Sequence, residues 1–225
     1  MVKNTTSCIK CGDSEKSMVK NGKSQAGKQR YICKSCGKTR VESYTYNAYI
    51  PNINSQIITL TKEGMGIRST ARVLHISPTT LLRRIVAISQ SIRQPPVPKN
   101  KSYEVDEIRT FLKSKSQQIW IVYALEKATR RIVSFAVGSR SNRTLNIVLD
   151  TLHLAQAQSI FTDGLKNYRY LIAKAVHRVR QFGTNSIERN NLTLRTHLKR
   201  LNRRTICFSR SAAMLLAVLK IYFWS

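Results

Sequence analysis

Two C-x-x-C pairs near the start, three short helical patterns after them, and a later run of three strand patterns followed by alternating helix and strand predict a multidomain protein. The predicted fold class is an N-terminal zinc ribbon plus a helical helix-turn-helix region, followed by an α/β domain. At 225 residues the chain can bury one core of moderate size plus small modules, and a 42% hydrophobic fraction fits globular folding.

The ribbon, over 1–45, rests on the cysteines. Cys8 pairs with Cys11 and Cys33 with Cys36, with 21 residues between the pairs. Each pair forms a tight knuckle whose thiolates point the same way, and two knuckles at the ends of a hairpin close a tetrahedral shell around zinc. Asn21-Gly22 offers the hairpin turn, and KQRYICK carries an aromatic and an apolar residue into the second knuckle. Two disulfides would need a secretory context, and a thioredoxin-like redox pair would need a βαβ pattern that this basic segment lacks. Cys207 stands alone and reads as a small buried apolar residue.

The helical region is expected over 46–93. Ile53, Ile57, Ile58 and Leu60 recur at helical spacing up to Glu63, and Gly64 and Gly66 end that helix. A short helix follows from Ile67 to Leu74. The third opens at Ser77-Pro78, a capping serine with proline in the first turn, and runs through TTLLRRIVAIS. Three short helices in this order describe a helix-turn-helix unit whose last helix could enter a major groove, with Thr79, Thr80, Arg83 and Arg84 as the DNA-binding candidates. A helical linker with solvated arginines is the plainer alternative. RQPPVPKNK then breaks the pattern and reads as a semi-rigid linker over 94–101.

The last domain, 102–225, changes rhythm. Strands are expected at Tyr103–Ile108, Gln118–Leu125 and Arg131–Val137, and Thr144 is expected to cap a helix reaching Ala155. A buried strand at Ser159–Phe161 ends at Thr162-Asp163-Gly164. A helix from Lys166 to Lys174, a strand from Ala175 to Val179 and a long helix from Ser186 to Leu201 complete the reading. Three strands followed by alternating helix and strand read as a mixed α/β domain; the order is also that expected of a ribonuclease H-like sheet, in which the first and fourth strands would be neighbours, a finer label that periodicity alone does not supply. The apolar run Ala212–Leu219 is flanked by Arg210 and Lys220 and is too short to span a membrane.

Charge narrows the function. With 39 Lys and Arg against 11 Asp and Glu, a net charge of +28 calls for a polyanion, and the spread of the basic residues along the chain favours nucleic acid over a membrane surface. No leader-like segment opens the chain, so a soluble cytoplasmic, nucleoid-associated protein is expected. Against this background three acids stand out. Asp106 lies on the first strand, Asp163 just past the fourth, and Glu188 opens the long helix with 24 residues between it and Asp163. Three converging carboxylates suit phosphoryl transfer with two Mg²⁺ ions, or Mn²⁺. N-terminal capping beside Ser186 competes as a reading of Glu188, and Glu104 or Glu107 would replace Asp106 if the strand register differed, although only Glu104 shares its face.

These motifs together resemble transposases of the insertion sequence one family, nearly end to end. NGKSQAGKQRYICKSCGKT matches that family's ribbon, GIRSTARVL resembles its helix-turn-helix, and FTDG with IERNNLTLRTHLKRLNRRTICFS matches its catalytic core. The resemblance implies a ribonuclease H-like DDE domain with Asp106, Asp163 and Glu188 as the metal-binding triad. It also implies a role for Arg195, seven positions after Glu188 on the same helix face, in gripping terminal DNA phosphates; a solvated helix charge is the alternative. His177 matches a family histidine that could orient a phosphate or water, or could be a loop histidine. Tyr168 and Asn191 match family positions without an assigned role. Leu165 and Lys166 stand where the family has tryptophan and proline, and Asn190 where it often has histidine, departures that touch packing and DNA contact but not the metal ligands. The implied activity is hydrolysis at each element end followed by strand transfer into target DNA, by at least a homodimer that also binds the terminal inverted repeats. A non-catalytic DNA-binding regulator and a ribonuclease H-like nuclease are the alternatives.

Overall fold

Alternation and turn chemistry build two units, 1–51 and 52–225. The computed structural model describes residues 8, 10–12, 18–42, 46–180 and 182–225; the outer parts of the expected ribbon, 1–7, 9, 13–17 and 43–45, lie outside the described residues.

In the first unit, strands β1 (Met18–Lys23), β2 (Gln29–Cys33) and β3 (Thr39–Val41) form an antiparallel sheet in sequence order. The expected turn at Asn21-Gly22 is displaced. Those residues lie inside β1, where the register slips between Lys20 and Lys23, and the chain reverses at Ser24–Lys28 instead. There the Ser24 hydroxyl accepts from the Lys28 amide at 3.2 Å and Gly27 takes φ of 73°, so a serine-anchored turn outcompetes the nearer Asn-Gly pair.

The second unit begins with α1 (Ile53–Lys62), α2 (Ile67–Val73) and α3 (Pro78–Ser91). Ser77 caps α3 as its sequence suggests, accepting from the Thr80 amide at 3.1 Å, with Pro78 in the first turn. Next come β4 (Ser102–Phe111), β5 (Gln118–Glu126) and β6 (Ile132–Gly138), then α4 (Asn142–Leu154), β7 (Ser159–Phe161), α5 (Lys166–Leu171), β8 (His177–Arg178), α6 (Asn185–His197) and α7 (Ala212–Trp224). The sheet order is β6-β5-β4-β7-β8. The first three strands are antiparallel, and β7 and β8 run parallel to β4, so the first and fourth strands of this domain are neighbours as expected.

Each face of the sheet has its own cover. Tyr103 and Val105 of β4 join Val122, Ala124, Leu145, Val148 and Leu152 in a core beneath α4. On the other face Phe135 of β6 meets Phe223 and Trp224 of α7, and the Trp224 indole donates to the Ile132 carbonyl at 3.0 Å. The run Ala212–Leu219, read only as too short to span a membrane, belongs to the helix Ala212–Trp224, which packs on β6 and also on α1 and α3. Its buried residues, Leu215, Ala217, Val218, Leu219 and Ile221, explain its composition: a helix covered on most sides is apolar on most sides.

Other expectations shift. The helix at 142–154 is entered from Ser141, not Thr144, which is buried one turn inside it with its hydroxyl close against Gly138. The helix from Lys166 ends early at Leu171, because Ile172 turns extended and buries its side chain in the core. The long helix breaks at buried Leu198 before a 3₁₀ turn at Lys199–Leu201. Cys207 is exposed, not buried, in the polar segment before α7.

Candidate functional site

Register brings the first two acids together. β4 and β7 pair in parallel up to Glu104 and Phe161, so two residues further along each chain Asp106 and Asp163 stand opposite one another with side chains of the same parity. Asp163 is exposed, and its Oδ1 accepts from the Leu165 amide at 3.0 Å in a turn that Gly164 completes at φ of 87°. Because β7 has ended at Phe161, β4 has no neighbour there beyond Glu104, and Glu107 can also reach the gap although alternation points it to the other face. Asp106, Glu107 and Asp163 each offer a carboxylate oxygen within 4.8 Å of the others.

The surroundings of these acids differ. Asp106 Oδ1 accepts from the Glu107 amide at 2.7 Å and Oδ2 from Asn191 Nδ2 at 2.5 Å. Burial pushes its carboxyl up to about 6 against those two donors, with Asp163 and Glu107 adding like-charge repulsion. Glu107 is 9% exposed, with Oε1 accepting from the Tyr168 hydroxyl at 2.5 Å and Oε2 from Arg140 at 3.0 Å. Arg140 in turn lies 4.5 Å over the Trp120 ring.

Glu104 has a different task. Fully buried, it accepts from the Ile187 amide at 2.7 Å and so satisfies an N-terminal donor of α6 from across the sheet. Its other oxygen is 3.1 Å from Lys127 Nζ, a charge contact without hydrogen-bond geometry, and Lys127 also donates to the Gly183 carbonyl at 2.8 Å and lies over Phe161. β4 therefore sets where α6 starts.

Helix α6 turns Glu188, Asn191 and Arg195 into the cleft that also exposes Asp106 and Glu107, with Thr196, Asn202 and Arg203 beyond. Positions three and four apart share a helix face, which accounts for the alignment. Glu188 is exposed in the first turn, and its Oε1 accepts from the Thr184 hydroxyl at 2.8 Å; it is not in the close group formed by Asp106, Glu107 and Asp163. Ser186 lies inside the helix, and Thr184 holds the N-cap position. The Arg195 Nε is buried without a hydrogen-bond partner among the described residues; burial and then Arg203 lower the affinity of this guanidinium for its proton. An anion between Arg195 and Arg203 would relieve that repulsion. His177 sits on β8, half-buried, with Nε2 2.8 Å from the Thr162 hydroxyl, and burial followed by Arg169 and Arg178 pulls its pKa down. It touches the residue before Asp163 and contacts the acid group through it.

On α3, Thr79 and Arg83 are exposed one turn apart. Thr80 is tied to the cap through its contact with the Ser77 hydroxyl at 2.8 Å, and Arg84 donates to Asn54 of α1 at 2.9 Å. Arg68, Arg72 and His75 border the adjoining groove.

In the first unit Cys8, Cys11, Cys33 and Cys36 bring four sulfurs within 4.8 Å of one another, with Cys8 and Cys36 at 3.5 Å and Cys11 and Cys33 at 3.7 Å. Zinc–thiolate bonds of about 2.3 Å in a tetrahedron place sulfurs about 3.8 Å apart, so the cluster fits a metal of that kind. Backbone amides of Cys11 and Lys10 pull the Cys8 thiol down, toward the ligating thiolate.

Sequence reasoning passed over Glu107 as more than a register substitute, and gave Tyr168 and Asn191 no role; Tyr168 holds Glu107 and Asn191 holds Asp106. Their polar character on otherwise apolar faces was the available signal. Arg140, Lys127 and Tyr123 carried none, since each meets its partners only in the folded protein, on elements far along the chain.

Comparison with known proteins adds the following. The family model for IS1 transposase matches residues 101–223, and that for the InsA C-terminal domain, a helix-turn-helix model, matches 44–87. Insertion element iso-IS1n protein InsB of Shigella dysenteriae is 39% identical over 108 residues, covering 48% of this chain and 82% of that protein. Insertion element IS1 protein InsB of Shigella flexneri is 34% identical over 111 residues, covering 49% and 85%. Among solved structures, a chain of the simian T-cell lymphotropic virus intasome in complex with PP2A regulatory subunit B56 gamma aligns over 72% of this chain and 66% of its own, at 16% identity and a TM-score of 0.40, too weak a likeness to bear on function.

Proposed function

Because the chain belongs to the IS1 transposase family, we propose that it is the DNA transposase of an insertion element, binding the terminal inverted repeats and catalysing metal-dependent strand cleavage and transfer into target DNA. The observation that carries this reading is the parallel register that leaves Asp106 opposite Asp163, in reach of one cation, beside a cleft lined by Glu188 and Arg195. The mixed sheet, with helices on both faces, is read as a ribonuclease H-like DDE domain. Oxygen donors of this kind suit Mg²⁺ or Mn²⁺, and such ions, when bound, activate the attacking oxygen and stabilise the leaving one.

The chain's own residues do the rest. Asp106 and Asp163 supply ligands from the sheet, and Glu188, exposed at the start of α6, supplies the third from across the cleft. Glu107, with both oxygens engaged by Tyr168 and Arg140, braces the edge of the site. Arg195 and Arg203 grip the phosphate next to the reacting one. Both proposed steps, hydrolysis to a 3′-OH and attack of that hydroxyl on target DNA, are in-line displacements that one site can serve. The cysteine cluster holds zinc in an end-binding ribbon, and α3 presents Thr79 and Arg83 to a major groove, with Thr80 and Arg84 fixing its entry. Pairing two ends calls for at least a homodimer. No helix among the described residues is long and apolar enough to cross a membrane, and the proposed place of action is the cytoplasmic nucleoid.

The test is Asp163→Asn in a strand-transfer reaction on a mini-element with two ends. The expected result is end binding without cut or joined product. Unchanged joining sinks the assignment, and cut ends without joining in the wild-type protein make it a nuclease.

A further inference from the structure

Asn191 is 7% exposed, on the α6 face one turn beyond Glu188, and both ends of its carboxamide are engaged. Nδ2 donates to Asp106 Oδ2 at 2.5 Å, and Oδ1 accepts from the Tyr123 hydroxyl at 2.6 Å. Tyr123 is fully buried on β5, directly opposite Asp106 in the ladder, and accepts from Asn190 Nδ2 at 3.2 Å. The Tyr123 hydroxyl has one proton and two acceptors in reach, Asn191 Oδ1 at 2.6 Å and the Ile187 carbonyl at 3.2 Å; along the shorter contact the bonds run one way, from Asn190 through Tyr123 and Asn191 to Asp106. A carboxamide has one accepting and one donating end, so with the tyrosine proton on Oδ1 its NH₂ must face the carboxylate. Since the Glu107 amide serves the other oxygen at 2.7 Å, each oxygen of Asp106 holds one donor, and rotation about its terminal bond is arrested.

We propose that Asn191 is a positioning residue that locks the Asp106 carboxylate in the orientation needed to share a divalent cation with Asp163, and that Tyr123 fixes Asn191 in turn. The proposal rests on reading these carboxylates as a metal site. Groups that orient metal ligands in this way typically change affinity by about 10- to 100-fold when removed. A purely structural Asn191 would fill space between α6 and the sheet and leave cation binding alone.

The test is Mn²⁺ titration of the zinc-loaded full chain, without DNA, followed by electron paramagnetic resonance of the unbound ion and paired with thermal melts. Asn191→Leu keeps the branch point and the number of side-chain heavy atoms and removes both polar ends; Tyr123→Phe keeps the ring against Phe223 and removes only the hydroxyl. The expected result is Mn²⁺ binding about 10- to 100-fold weaker for Asn191→Leu, a smaller loss in the same direction for Tyr123→Phe, and none remaining for Asp163→Asn. Wild-type affinity in folded Asn191→Leu overturns the proposal, and if that variant does not fold, wild-type affinity in Tyr123→Phe does so. Wild-type affinity in Asp163→Asn removes the metal reading itself, whereas loss there with retention in the other two removes only the role of Asn191.

Discussion

Replacing Asp106 by Asn should make the metal-free protein more stable while removing a carboxylate from the proposed metal site. Burial raises this carboxyl from an ordinary value of 3.8 to about 6. The folded protein then holds the proton more tightly than the unfolded chain, so its stability falls as pH rises from about 4 through about 6. Two units at about 1.36 kcal/mol each amount to about 3 kcal/mol of strain from the buried charge at pH 8. The Asn side chain avoids that charge and, like the neutral carboxyl, accepts from only one of the two donors, Glu107 N–H and Asn191 Nδ2, a loss already contained in the raised value. The gain is therefore about 3 kcal/mol, or a rise of about 6–12 °C in Tm for a unit of this size. Melts in buffer free of Mg²⁺ and Mn²⁺ at pH 8 and pH 4 check it. The gain should appear at pH 8 and nearly vanish at pH 4, where the wild-type carboxyl is itself neutral and has the same single acceptor. A variant that melts at or below the wild type at pH 8 refutes the claim that Asp106 is an energetically costly buried charge.

Two further predictions follow from other parts of the chain. Cys33→Ser should abolish the one zinc per chain proposed for the cysteine cluster, measured by metal analysis of the purified protein, together with the proposed specific binding to the inverted repeats; retention of both contradicts the ribbon reading. Arg203→Ala should weaken DNA binding and reduce the slope of log affinity against log salt by about one, because one phosphate contact is lost; an unchanged slope places Arg203 outside the DNA path.

Local rules were legible where local chemistry decides. Ser77-Pro78 starts α3 because cap and proline act within one turn. The proximity of Asp106 and Asp163 was legible only once a ribonuclease H-like strand order was assumed, which sets the first and fourth strands side by side; element order alone gives a mixed α/β domain, and register does the rest. Competing local signals misled: Asn21-Gly22 lost the turn to Ser24–Lys28, and Thr144 lost the cap to Ser141 because its side chain packs on Gly138. Glu107 was hidden for another reason. Alternation assigns it to the far face, and only the early end of β7 opens the sheet edge through which it reaches the other acids. Contacts such as Tyr123 with Asn191, 68 residues apart, or Glu104 with the start of α6, depend on packing that no window of sequence contains.

The central claim is metal-dependent joining of a 3′-OH to target DNA at the Asp106–Asp163 site. The most direct measurement is strand transfer by the wild-type protein with pre-cut ends that carry either a 3′-OH or a 3′-deoxy terminus, with and without Mg²⁺. Joined product is expected only with the hydroxyl and the metal together; joining by 3′-deoxy ends, or joining without a divalent cation, would overturn the proposed function.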